Sequence, residues 1–234
     1  MGEMLENIEF HVKLRYLAGL LLIASAITHN LQLFFVGFEW HDISAALVGT
    51  LYGIIGVLLI LMKENKIISF IAIIFPVIGG ALGLVRLFMI EIGIYGQINW
   101  FIVWHVIADA IIVPCCFYSH IKISNFDNNE ILNFLSICLL LITGILHALQ
   151  VNIYGTSFEI LGQMAFGFVY IALSILIWLI GDKKIISILG FILPLIGGIL
   201  GLAVLFIFPT PFLVVFEIID LVVIIIRFKL YKNL

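Results

Sequence analysis

Charge is what this sequence has least of. Only 11% of its 234 residues are Asp, Glu, Lys or Arg, while 64% are hydrophobic. A chain of that make-up has too few polar side chains to cover a water-soluble fold, so the bilayer is its expected solvent. Basic runs are missing as well, and the formal net charge is -3. Phosphate binding needs clustered Lys and Arg, which excludes nucleic acid as a partner. Cysteine is scarce: Cys115, Cys116 and Cys138 lie in apolar segments without a CxxC pair and read as packing residues. The start, MGEMLENIEF, lacks the basic region of a secretory signal. The first apolar run is therefore expected to be a retained span.

What the sequence does have is long apolar runs. A hydrocarbon core about 30 Å thick needs roughly 20 apolar residues per helix. Eight stretches qualify: 13–36, 44–62, 67–90, 99–119, 131–153, 160–180, 184–208 and 211–229. With eight spans both termini share a side. Lys13, Arg15, Lys63, Lys66, Lys122, Lys183, Lys184, Arg227, Lys229 and Lys232 all fall there, whereas Glu39, Asp42, Glu91 and Glu159 occupy the opposite loops. The positive-inside rule then places both termini in the cytoplasm of a cell membrane. Trp40, Trp100 and Trp104 near the outer boundary, with Tyr16, Tyr118 and Tyr231 near the inner one, follow the pattern of an aromatic belt.

The chain also repeats itself. A shift of 118 positions carries His29 and Gln32 onto His147 and Gln150, Gly49 onto Gly167 and Tyr52 onto Tyr170. The same shift carries Lys66-Ile67-Ile68-Ser69 onto Lys184-Ile185-Ile186-Ser187, and Pro76, Gly79 and Gly80 onto Pro194, Gly197 and Gly198. A shift of 111 then brings Asp109 onto Asp220. The expected fold is an all-α integral membrane protein of eight transmembrane helices in two tandem four-helix repeats, residues 1–122 and 123–234. An even helix number keeps the repeats parallel, related by a pseudo-twofold axis along the membrane normal.

Several residues in this frame can carry chemistry. His29 and Gln32 share a helix face, as do His147 and Gln150. Asp109 and Asp220 are intramembrane carboxylates, costly unless paired, and a count of 1.5 Å per residue puts them at depths where they could meet the histidines. His105 precedes Asp109 by one turn but aligns with Phe216, while Glu217 aligns with Val106, so the two copies differ in their chemistry. Gly79, Gly80 and Gly83, matched by Gly197, Gly198 and Gly201, form small faces that admit a neighbouring helix or a flat cofactor. Pro76 and Pro194 read as structural kinks. Arg86 aligns with Val204 and either snorkels outward, pairs with Glu91, or holds an anionic group. The tract Glu39-Trp40-His41-Asp42 reads as a solvated loop.

Three functions are compatible with these residues. In the first, His29 and His147 are the axial ligands of a b-type haem in an electron-transfer protein, flanked by the glycine faces, Gln32 and Gln150. Arg86 would sit at a propionate, and Asp109, Asp220, His105 and Glu217 would orient the ligands or relay protons. In the second, the same His and Asp residues serve a small proton- or cation-coupled transporter. In the third, the chain is a non-catalytic subunit of a larger membrane complex, its polar residues acting between helices. The partners implied are the lipid bilayer and either further membrane subunits or a redox partner. The four-plus-four parallel arrangement resembles that of the haem A synthases in architecture alone. That family bears its histidines on the second and fourth helix of each bundle with a Glu-x-x-x-His motif, which this sequence lacks.

Overall fold

A computed structural model describes residues 9–35, 40–87, 96, 98–181, 183–207 and 211–233. The N-terminal start, Glu39 and Glu91, to which the sequence assigns roles, lie outside the described residues. Eight helices account for nearly everything described: α1 (Phe10–Phe35), α2 (Trp40–Leu61), α3 (Lys66–Val85), α4 (Trp100–Ser124), α5 (Asn128–Tyr154), α6 (Phe158–Ile180), α7 (Lys184–Ile207) and α8 (Pro211–Lys232). The first seven are long and apolar enough to cross a membrane, which makes this an integral membrane protein by composition and length. Expected as an eighth span, α8 falls outside that class. It carries Glu217, Asp220, Arg227, Lys229 and Lys232, more charged residues than a plain apolar span holds.

Local chemistry sets the helix boundaries. Asn65 and Asn99 cap α3 and α4 by accepting from the backbone N–H of Ile68 and Phe101. Asp127 and Glu130 form a reciprocal capping box at the start of α5, and Ser157 caps α6. Asn125 ends α4 in the left-handed region at φ 54°, a conformation asparagine tolerates because its short side chain bonds locally.

The chain divides into two compact units, residues 1–125 and 126–234. Within the first, α1 packs on α2 and α4, and α3 packs on α4 and α2, which closes a four-helix ring. The second repeats this order, with α5 on α6 and α8, and α7 on α8 and α6. Side chains that meet no protein are largely apolar, among them Leu47, Ile54, Ile67, Leu179, Ile185 and Ile199, as a lipid-facing exterior requires.

Each unit buries one arginine completely. Arg15 of α1 donates through Nε to the Leu59 carbonyl at 2.8 Å, through Nη2 to the carbonyl of Met62, and through Nη1 to the Ser69 hydroxyl. These are carbonyls at the end of α2 that no later turn of helix can satisfy, so the guanidinium caps α2 and ties it to α1 and α3. In the second unit Arg227 of α8 donates to Asn133 Oδ1 at 2.7 Å. Asn133 occupies the position equivalent to Arg15, and Arg227 the position equivalent to Cys116. Cys116 is itself within electrostatic reach of Arg15.

Candidate functional site: a tyrosine–aspartate pair beside an imidazole in each unit

Asp109 is 3% exposed, on the face of α4 that meets α3. Its Oδ2 lies 3.2 Å from the hydroxyl of Tyr52, which is also 3.3 Å from the Phe75 carbonyl. A phenol has one hydrogen, so the hydroxyl donates to one of these oxygens at a time. The second unit builds the same pair: the Tyr170 hydroxyl donates to Asp220 Oδ2 at 2.7 Å, and Asp220 is 3% exposed. In each unit the remaining carboxylate oxygen, Oδ1 of Asp109 or of Asp220, is buried without a hydrogen-bond partner among the described residues.

The glycines of α3 and α7 make this possible. A Cβ at Gly79 or Gly197 would run into the hydroxyl of Tyr52 or Tyr170, and one at Gly80 would stand 3.3 Å from the Asp109 Cβ. Gly83 faces Val106 and Ile102. Gly201 makes room for the Glu217 carboxylate, and Gly198 would place a Cβ 3.4 Å from Glu217 Oε2. The small faces read in the sequence as room for a helix or a flat cofactor thus hold tyrosine and carboxylate side chains, and at Gly83 the apolar side chains of α4.

The histidines stand beside these pairs. Gly49 lets α1 approach α2 closely enough that any side chain there would collide with the His29 Cβ, and Gly167 does the same for His147, at 2.9 Å. The His29 and His147 rings lie edge-on to Tyr52 and Tyr170, each with centroids 6.1 Å apart. His29 also stacks on His105, with centroids 3.3 Å apart and planes 2° from parallel, whereas His147 stacks on Phe216 at 4.0 Å. The structure therefore brings His29, His105, Tyr52, Asp109 and Gly79 together in one unit, and His147, Tyr170, Asp220, Gly197 and the nearby Glu217 in the other. Asp109 and Asp220 accept their hydrogen bonds from tyrosine, not from the histidines that depth alone suggests. With α1 ending at Phe35 and α4 starting at Trp100, His29 and Asp109 sit about 9 Å and about 13 Å from those helix ends.

Between the pair and the helix ends lies a second polar group, found among the described residues only in the first unit. Arg86 Nη2 is 2.8 Å from Asp42 Oδ1, which also accepts from Gln32 Nε2 at 3.1 Å. Asp42 is 2% exposed and Gln32 1%. Asp42, read in the sequence as part of a solvated loop, belongs to the first turn of α2 and is a buried anion. Gln150 is buried too, but its unit has Ile160 and Val204 where the first has Asp42 and Arg86. Among the described residues no group of three or more His, Cys, Asp or Glu could hold a metal ion.

Tyr52 and Tyr170 are the residues that sequence reasoning passed over. Their coincidence under the 118-residue shift was visible, but an aromatic in an apolar helix reads as core unless its hydroxyl is known to face a carboxylate. No known protein family, curated protein or solved structure matches the chain.

Proposed function

We propose that this protein is a small proton-coupled membrane transporter in which Asp109 and Asp220 each carry a proton. The observation that supports this most directly is the same arrangement occurring twice. A carboxylate buried within an apolar bundle is held at one oxygen by a tyrosine and left with its other oxygen unbonded among the described residues. An unpaired carboxylate in such a medium is expensive, and the ordinary remedy is to take up a proton or another cation. Once protonated, Asp109 donates to the Tyr52 oxygen, and the phenol hydrogen turns to the Phe75 carbonyl. Every hydrogen then has an acceptor, so loading and unloading require only a reorientation of two O–H bonds. His29 and His147 stand where they can pass the proton toward the nearer helix ends.

The finer architecture belongs to this reading. Two tandem parallel four-helix repeats about a pseudo-twofold axis along the membrane normal, with both termini cytoplasmic, would put the two carboxylates at matching depth in the outer half of the bilayer. The buried Asp42–Arg86 pair would then fix the outer end of the first unit alone.

The haem reading has one observation in its favour: Nδ1 of both His29 and His147 is buried and unbonded among the described residues. Against it, the glycine faces are filled by tyrosine and carboxylate, and Arg86 is engaged by Asp42. A visible spectrum of the purified protein separates the two. Proton transport predicts no Soret band, and a band that shifts on reduction and is lost in His29→Ala would replace it with electron transfer. A colourless protein that moves no protons would leave a subunit of a larger complex, its polar groups joining helices.

A further inference from the structure

Both units leave the same three buried polar atoms without a partner among the described residues. In the first they are His29 Nδ1, Ser25 Oγ and Asp109 Oδ1, and in the second His147 Nδ1, Thr143 Oγ1 and Asp220 Oδ1. The 118-residue shift carries Ser25 onto Thr143, so the hydroxyl is kept although the residue changes. Ser25 and Thr143 are both 0% exposed. In native proteins roughly nine buried polar groups in ten are bonded, to protein or to ordered water, so the same trio left over twice points to a shared bonding partner.

The atoms of each trio stand together. His29 of α1 stacks on His105 of α4 and Arg15 lies within electrostatic reach of Cys116, so the two helices run antiparallel. One turn along α1 from His29 is Ser25, and one turn along α4 from His105, in the same direction, is Asp109. In the second unit His147 stacks on Phe216 and Arg227 bonds to Asn133, and the same step leads to Thr143 and Asp220. Tyr52 and Tyr170 close each group, bonded to the aspartate and edge-on to the histidine. About one turn further on, Leu22 with Ile112, and Leu140 with Val223, all 0% exposed, form an apolar floor.

We infer that each unit binds one water molecule between its histidine, its hydroxyl and its aspartate, and that this water carries the proton between His29 and Asp109 and between His147 and Asp220. Buried waters make about three hydrogen bonds. Here the water donates to the aspartate Oδ1 and to the histidine Nδ1 and accepts from the hydroxyl of Ser25 or Thr143, which satisfies every atom of the trio. To load the carboxylate, an imidazolium gives its Nδ1 hydrogen to the water oxygen while the water gives one of its own to Oδ1. Imidazole and carboxyl end neutral and the water is intact. In the first unit a half-turn of the carboxyl about its Cβ–Cγ bond then brings the proton to the Tyr52 oxygen. Ser25 and Thr143 are positioning residues, which orient the water and exchange no proton themselves. The proton-carrying half of the inference rests on the transport reading, whereas the water site does not.

The test uses the full-length protein in detergent. Infrared difference spectra between acid and alkaline buffer are recorded in ordinary water and in water labelled with oxygen-18. The wild type should show a water O–H band that moves with the label. Ser25→Ala with Thr143→Val should lose that band at an unchanged melting temperature, and the exchanges Ser25→Thr with Thr143→Ser, which trade the two hydroxyls, should restore it. In liposomes the Ala and Val variant should move protons at least roughly tenfold more slowly than the wild type. A wild type with a label-sensitive band but no proton flux would remove the transport reading and leave the water site. A wild type without such a band, or an Ala and Val variant that keeps both band and flux, would overturn the inference.

Discussion

Tyr52 and Tyr170 decide how the buried carboxylates behave, because each hydroxyl is hydrogen-bonded to its aspartate, whose other oxygen has no partner among the described residues. Removing the hydroxyl in Tyr170→Phe leaves Asp220 without a donor at a site 3% exposed, a loss worth about 1–3 kcal/mol. Thermal unfolding in detergent should show a lower Tm for Tyr170→Phe, and little change for Tyr170→Phe combined with Asp220→Leu, which removes both polar partners. The glycines opposite are equally specific. Gly197→Ala places a methyl group where the Tyr170 hydroxyl stands, and overpacking of this kind costs about 1–3 kcal/mol. Gly162→Ala, in open space within α6, is the control and should not lower the melting temperature. At this scale the sequence names acids and imidazoles that the structure places near one another, but not their partners. Depth along a helix follows from counting residues, whereas which way a side chain points around the helix depends on the neighbour it packs against, so Asp109 was placed near His29 and its bond to Tyr52 was not foreseen.

Pairs of helices are held by buried charge. The Asp42–Arg86 pair joins α2 to the end of α3, and Gln32 adds α1, at a place where both charged groups are largely out of solvent. Breaking such a pair from one side strands the other charge, at a cost of about 3–5 kcal/mol, whereas removing both charges is close to neutral. Arg86→Gln should therefore destabilise strongly and Asp42→Asn with Arg86→Gln should recover much of the loss, a double-mutant cycle that melting curves can read. Each of the two units buries one arginine completely, Arg15 or Arg227, on a different helix. Under the shifts of 118 and 111, Arg15 and Cys116 align with Asn133 and Arg227, so the guanidinium is on the first helix of one unit and the fourth of the other. That exchange was legible only once α1 was seen against α4, and α5 against α8. Asp42 was missed for a simpler reason: α2 begins at Trp40, earlier than its apolar run suggests, and this turns the residue inward.

For the molecule as a whole, hydropathy and self-similarity made eight helices legible, and the structure has eight, seven of them apolar enough to span. The eighth differs because it carries Glu217, Asp220 and Arg227, of which Asp220 and Arg227 are buried and Glu217 half-buried. Orientation is testable at both ends of the chain. Cys115, Cys116 and Cys138 are buried, so a cysteine introduced as Glu9→Cys or Asn233→Cys should be the reactive one. A membrane-impermeant maleimide should modify both variants in inverted vesicles and neither in intact cells, if the termini are cytoplasmic; labelling of one end only would mean an odd number of crossings. The proton-carrying role of the paired carboxylates is tested most directly by reconstituting the purified protein into liposomes that enclose a pH-sensitive dye and imposing a pH gradient. The wild type should collapse the gradient, alone or on addition of its solute, and the Asp109→Asn, Asp220→Asn double variant, folded to the same melting temperature, should not. A double variant that moves protons as fast as the wild type would contradict the account.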